Sequence, residues 1–159
     1  MAGTHDLLKA RFAHVRRDLD RVLDRLVEAD MRWTPAQGMR TVASQLVEIA
    51  DKERETLVWV QTGVWPDDDP PTFDEETVTL AEARVALARL RKATYAFIDG
   101  QTEAELERPV ANPEGWYEAL GLLQCPLSEV LRTVAAHEWY HTGQLVMYLW
   151  SRGEDPYAW

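Results

Sequence analysis

The chain has 159 residues, 46% of them hydrophobic and 28% charged, which is the composition of one folded domain spanning 1–159 rather than of a disordered segment. Its net charge of −10 repels phosphate backbones and acidic headgroups, which excludes nucleic acid and a membrane surface as expected partners. The single cysteine, Cys125, leaves no internal disulfide to form and fits a reducing compartment. The N-terminal residues carry no basic stretch followed by an apolar one, and no apolar run approaches the ~20 residues needed to span a bilayer, so a cytoplasmic location is expected.

Leu8, Phe12, Val15, Leu19, Val22 and Leu26 step by four and three, which predicts a long first helix over about residues 5–29 with Thr4 as its N-cap. Arg16, Arg17, Asp20, Arg21 and Asp24 read as its solvated face. Pro35 and Gly38 break the pattern. A second helix is expected from Thr41, which can cap it, to Gln61, with Val42, Leu46, Ile49, Glu53, Leu57 and Val60 along its seam. Glu53 falls on that apolar face and Glu48 on its flank, and an acid facing a core is costly unless it is paired or bound to a cation. Residues 63–76, with three consecutive Asp and Pro70-Pro71, predict a long crossover. The third helix is expected over Leu80–Asp99 with Gly100 after its end. Residues 101–126, rich in Pro and Gly and holding Trp116-Tyr117, read as an irregular loop, either packed and functional or holding short local structure. The last helix is expected over Leu127–Arg152 with Ser128 as N-cap. Four long helices without strand-like alternation predict an all-α four-helix bundle with a long crossover between helices 2 and 3 and an irregular loop before helix 4.

The last helix carries the chemistry. His137 and His141 are four residues apart, so both rings can reach one point, and imidazole is the commonest metal ligand in proteins. Val130, Val134, His137, His141, Leu145 and Tyr148 share one face within about 60°, which predicts that both histidines point inward. Ala135, Trp139, Val146 and Trp150 form a second apolar stripe, which reads as a homodimer surface. The string His137-Glu138-x-x-His141 also matches that of zinc proteases, where the Glu is the general base. Its context argues against that chemistry, because Gly143 stands at the wrong offset and no third His follows.

His137-Glu138-Trp139-Tyr140-His141-Thr142-Gly143-Gln144-Leu145 resembles the signature of the DinB-like superfamily, as does Arg40-Thr41-Val42-Ala43-Ser44-Gln45-Leu46-Val47-Glu48 on the second helix. The resemblance extends over essentially the whole chain. It implies a four-helix bundle, commonly dimeric, that holds one divalent metal on three side chains. Two of them would be His137 and His141. The family's third ligand is a histidine that falls at Glu48 here, which would give a His₂-carboxylate set, with Glu53 as the runner-up carboxylate on periodicity. Zinc, nickel, iron and manganese all suit such sets. Some members of the superfamily use a low-molecular-weight thiol, so the resemblance implies a metal-dependent enzyme that activates a small thiol for transfer, or water for hydrolysis, on a small-molecule substrate. Glu138, Tyr140 and Gln144 are the weaker candidates for roles around the metal. The alternative is a non-catalytic, metal-stabilised dimeric binding or stress-response protein.

Overall fold

A computed structural model describes residues 3–111 and 121–159. Its order is α1 (Thr4–Leu23), a 3₁₀ turn (Glu28–Arg32), α2 (Val42–Thr62), α3 (Leu80–Asp99), the short α4 (Glu103–Leu106), β1 (Pro109–Ala111), β2 (Gln124–Pro126), α5 (Leu127–Ser151) and a final 3₁₀ turn (Pro156–Ala158). The expected all-α bundle is the fold, built from α1, α2, α3 and α5. Helix α1 packs most extensively on α5, and α2 lies against both α5 and α3.

The helix ends explain where the boundaries moved. Helix α1 stops at Leu23, and the Asp30 carboxylate accepts from Val27 N–H at 2.8 Å to start the 3₁₀ turn. Leu26 is still buried, so its periodicity was real although the helix had ended. Thr4 is not the cap of α1. The first helical amides, Thr4 and His5, donate instead to the Glu103 carboxylate at 3.0 and 3.4 Å, so α4 caps α1 from across the fold. Thr41 does cap α2, accepting from Ser44 N–H at 3.1 Å. Thr79 and Glu82 form a reciprocal capping box at the start of α3. Gly100 is right-handed at φ −81°, whereas Gly63 after α2 is left-handed at φ 78°, a conformation that favours glycine. Ser128 does not cap α5; its hydroxyl donates to Glu107 at 3.2 Å.

The stretch expected to be irregular contains structure. Besides α4, β1 and β2 pair antiparallel, with Val110 opposite Cys125. Strands of three residues are too short to show alternation, which is why the sequence did not reveal them. Trp116 and Tyr117 lie outside the described residues. The long crossover between α2 and α3 is held to α2, because Asp51 accepts from both the amide and the hydroxyl of Thr72 at 2.7 Å.

The core falls into two large clusters and a small third one of Trp59, Cys125 and Val130. Toward one end Leu19, Leu23, Leu46, Ile49, Leu87 and Leu145 pack together, and toward the other Leu8, Phe12, Ile98, Leu106, Leu127 and Leu131 do. Each such side chain contributes about 1.5–3 kcal/mol on full burial. Of the second stripe on α5, Ala135 is buried in the core and Val146 packs against it, which corrects the expectation of a continuous outer face. Trp139 and Trp150 do face outward, together with Met147.

Candidate metal centre

Between the two apolar clusters lies a layer of buried charge to which all four long helices contribute. Glu53 of α2 accepts from Arg91 Nε at 2.9 Å, from Arg16 Nη2 at 3.3 Å and from the Thr94 hydroxyl. Glu138 of α5 accepts from Arg16 Nε at 2.9 Å and from Arg91 Nη2. The remaining guanidinium donors reach backbone carbonyls, Arg16 to Leu87 at 2.8 Å and Arg91 to Phe12 at 2.6 Å. Two cations and two anions balance, and the buried carboxylates and guanidinium groups have the partners that burial demands.

This layer settles two expectations. Glu53 is committed to arginine, so it is not the carboxylate that accompanies the histidines. Its place on the seam did imply a cation, and the cation is Arg91 with Arg16. Glu138 is only 2% exposed and held by the same two arginines, so it is neither a surface residue nor a free general base. The α5 seam runs Val134, Glu138, His141, Leu145 and Tyr148. His137 therefore lies on the flank, half-buried, while His141 is buried. Arg16, on the charged face of α1, is nearly buried rather than solvated, because a long side chain can turn its head inward.

Beside the layer, between α2 and α5, Glu48, His137 and His141 converge. One ligand atom of each lies within 4.8 Å of the others. The Nε2 atoms of the two histidines face each other at 3.2 Å. Burial, and then the adjacent His141 ring, lowers the His137 pKa from 6.5 to about 4, and burial also lowers that of His141, so both rings are neutral at neutral pH. His141 Nδ1 faces Gln45 Oε1, whereas His137 Nδ1 is buried with no hydrogen-bond partner among the described residues. Glu48 is the most exposed of the three and forms an ion pair with Arg40.

Of the clefts lined by Glu48, two reach the histidines. One, of about 340 Å³, is lined by residues including Arg40, Gln45, Tyr140, His141 and Gln144. The other, of about 240 Å³, holds His137 with Asp51, Lys52 and Glu55. Burial lowers the Lys52 pKa, and burial followed by Asp51 raises that of Glu55. Tyr140 is exposed at the first cleft, and Gln144 stands against His141 there, where its side chain favours the protonated ring. Sequence reasoning thus placed Tyr140 and Gln144 near the histidines, but missed Gln45, whose position one turn before the Ile49 seam residue was the available signal.

The family model of the DinB superfamily matches residues 11–145, from the first helix past the histidine pair. The chain belongs to the DinB superfamily. No curated protein sequence matches it. Among solved structures it is similar to a protein from Streptococcus pneumoniae, with 16% identity and a TM-score of 0.72 over 96% of this chain and 92% of that one. It is also similar to a conserved protein from Enterococcus faecalis, with 15% identity and a TM-score of 0.65 over 97% of this chain and all of that one. At such identities the likeness is one of fold. The His/Glu cluster of this DinB-superfamily chain is compatible with a metal ion, since it sets two neutral imidazoles and a carboxylate around one point.

The buried charge layer gives a direct prediction. Glu53→Ala leaves Arg91 and Arg16 with one carboxylate between them and destabilises the fold by about 3–5 kcal/mol in urea unfolding, as removal of one partner from a buried ion pair does. Glu48→Ala, on the exposed flank, changes stability far less in the absence of added metal.

Proposed function

We propose that Glu48, His137 and His141 bind one divalent metal and that the protein is a metal-dependent enzyme acting on a small molecule through an activated thiol or water. The observation that carries this reading is the convergence of one carboxylate and two neutral imidazoles within 4.8 Å beside an open cleft. Three protein ligands leave coordination positions for a reactant, which distinguishes a catalytic from a closed structural site. A divalent ion there supplies Lewis acidity, which lowers the pKa of a thiol or water.

The residues of the chain divide the remaining work. His141 presents Nε2 from a ring anchored at Nδ1. Glu48, paired with Arg40, would give up that partner to hold the ion, and its charge would make a bound thiol or water less acidic than a third neutral imidazole would. Tyr140 and Gln144 line the reactant cleft and offer a hydroxyl and an amide to orient a substrate. Glu138 stays with Arg16 and Arg91 and holds the α5 backbone beside the site. A non-catalytic binding protein would use the same cleft and differs from this reading in lacking turnover.

Metal analysis of protein purified without added nickel tests the site. The wild type retains zinc, nickel, iron or manganese, and Glu48→Ala, His137→Ala and His141→Ala each lose most of it; unchanged metal content in all three sinks the proposal. Turnover with a panel of low-molecular-weight thiols then separates thiol transfer from hydrolysis, and loss of both activities from metal-loaded protein favours the binding protein.

We further propose a homodimer through the outer face of α5, on which Trp139, Met147 and Trp150 are 55%, 59% and 46% exposed around Gly143. A side chain at Gly143 would meet nothing within 4 Å, so this part of the face is open to an approaching helix. Light scattering of the wild type gives a dimer mass and that of Trp139→Glu/Trp150→Glu a monomer mass; a monomeric wild type refutes it.

A further inference from the structure

Behind His141, two side chains and a carbonyl run in series. The His141 Nδ1 faces Gln45 Oε1. Gln45 Nε2 donates to the Tyr148 hydroxyl at 3.3 Å, and that hydroxyl donates to the backbone carbonyl of Arg40 at 2.8 Å. The last group gives the whole series its direction, because a carbonyl can only accept. The Tyr148 proton is committed to Arg40, and the hydroxyl oxygen keeps lone pairs for Gln45. Gln45 meets it with its amide N–H, which leaves Oε1 toward the ring. An oxygen there accepts, so the His141 proton sits on Nδ1 and the bare Nε2 faces His137 and Glu48.

We infer that Gln45 and Tyr148 are positioning residues that set the tautomer of His141. The use of that tautomer, Nε2 ligation, rests on the proposed metal site; the tautomer itself is a property of the metal-free chain. His141, Gln45 and Tyr148 are 6%, 4% and 3% exposed, so bulk water does not compete for these groups. Reversing the amide would drive the His141 proton to Nε2 and leave Gln45 Oε1 and the Arg40 carbonyl contending for the single Tyr148 proton, so the Tyr148–Arg40 bond holds the amide in its present sense. The Tyr148 ring is held edge-on to Trp33 at 5.9 Å between centroids, which keeps its hydroxyl aimed. Arg40 ends the series with its carbonyl and pairs with Glu48 through its guanidinium, so one residue anchors both a histidine and the carboxylate of the site. His137 has no such backing: its Nδ1 lacks a partner among the described residues. One ring is preset and the other is free to adapt.

Nitrogen-15 NMR of the metal-free protein at neutral pH reads the tautomer directly. Wild-type His141 carries its proton on Nδ1. Gln45→Leu removes the acceptor and Tyr148→Phe frees the amide to turn, so both shift His141 toward the Nε2–H form. Gln45→Glu keeps an acceptor and keeps the Nδ1–H form. Zinc affinity, read by competition with a chromophoric chelator, falls about 10–100-fold in Gln45→Leu and Tyr148→Phe, as it does when the partner behind a histidine ligand is lost, and Gln45→Glu retains most of it. A wild-type His141 protonated on Nε2 overturns the inference, as does a tautomer unmoved by both Gln45→Leu and Tyr148→Phe. A tautomer that shifts as expected in protein that never takes up zinc upholds the relay and refutes the metal site. Circular dichroism confirms folding, and should Gln45→Leu fail to fold, Tyr148→Phe and Gln45→Glu decide the question.

Discussion

The balance of charge among Arg16, Glu53, Arg91 and Glu138 is the constraint on which the bundle depends. Two carboxylates from α2 and α5 meet two guanidinium groups from α1 and α3 in the middle of the core. A mismatch in the register of any one helix would leave a charge buried without its partner. Apolar packing above and below tolerates small shifts, but a hydrogen-bonded layer does not. The layer therefore specifies how the four helices align along their axes, and the two hydrophobic clusters provide most of the driving force on either side of it.

The candidate metal centre inherits its position from that alignment. Glu138 and His137 are neighbours on α5, so when Glu138 turns into the charge layer, His137 is carried to the α2 side of the helix. On α2, Glu48 lies five residues before Glu53, about 140° around the helix, so it too falls off the buried face. Each helix thus sends one acid inward to arginine, and sets the next functional group at the edge where α2 and α5 face the clefts. His141, one turn further along, is deep enough to be backed by Gln45 and Tyr148 yet still meets His137 at 3.2 Å. The buried ring thus stands fixed beside a more exposed carboxylate.

Much of this was written in local patterns. The seams of α1, α2, α3 and α5, the Thr41 cap and the crossover are visible in the spacing of apolar residues and in Pro and Gly, because those signals act within one or two turns. Glu48, His137 and His141 were legible as a set through their match to a family signature, which the DinB-superfamily model extends over residues 11–145. The β1–β2 pair and α4 were not legible, since three or four residues carry too little periodicity to stand out.

By itself, the sequence determined that helices form, which faces are apolar, and that His137 and His141 can reach one point, since 3.6 residues per turn is a property of the backbone. Only the tertiary structure decided what those faces meet. It gave Glu53 and Glu138 to Arg16 and Arg91, made Glu103 the cap of α1, and set Gln45, Tyr148 and the Arg40 carbonyl behind His141. The reason is physical. Helical spacing follows from interactions between near neighbours, whereas the partner of a buried charge or ring nitrogen is chosen among groups up to 122 residues apart in the chain, which approach only when the core has closed.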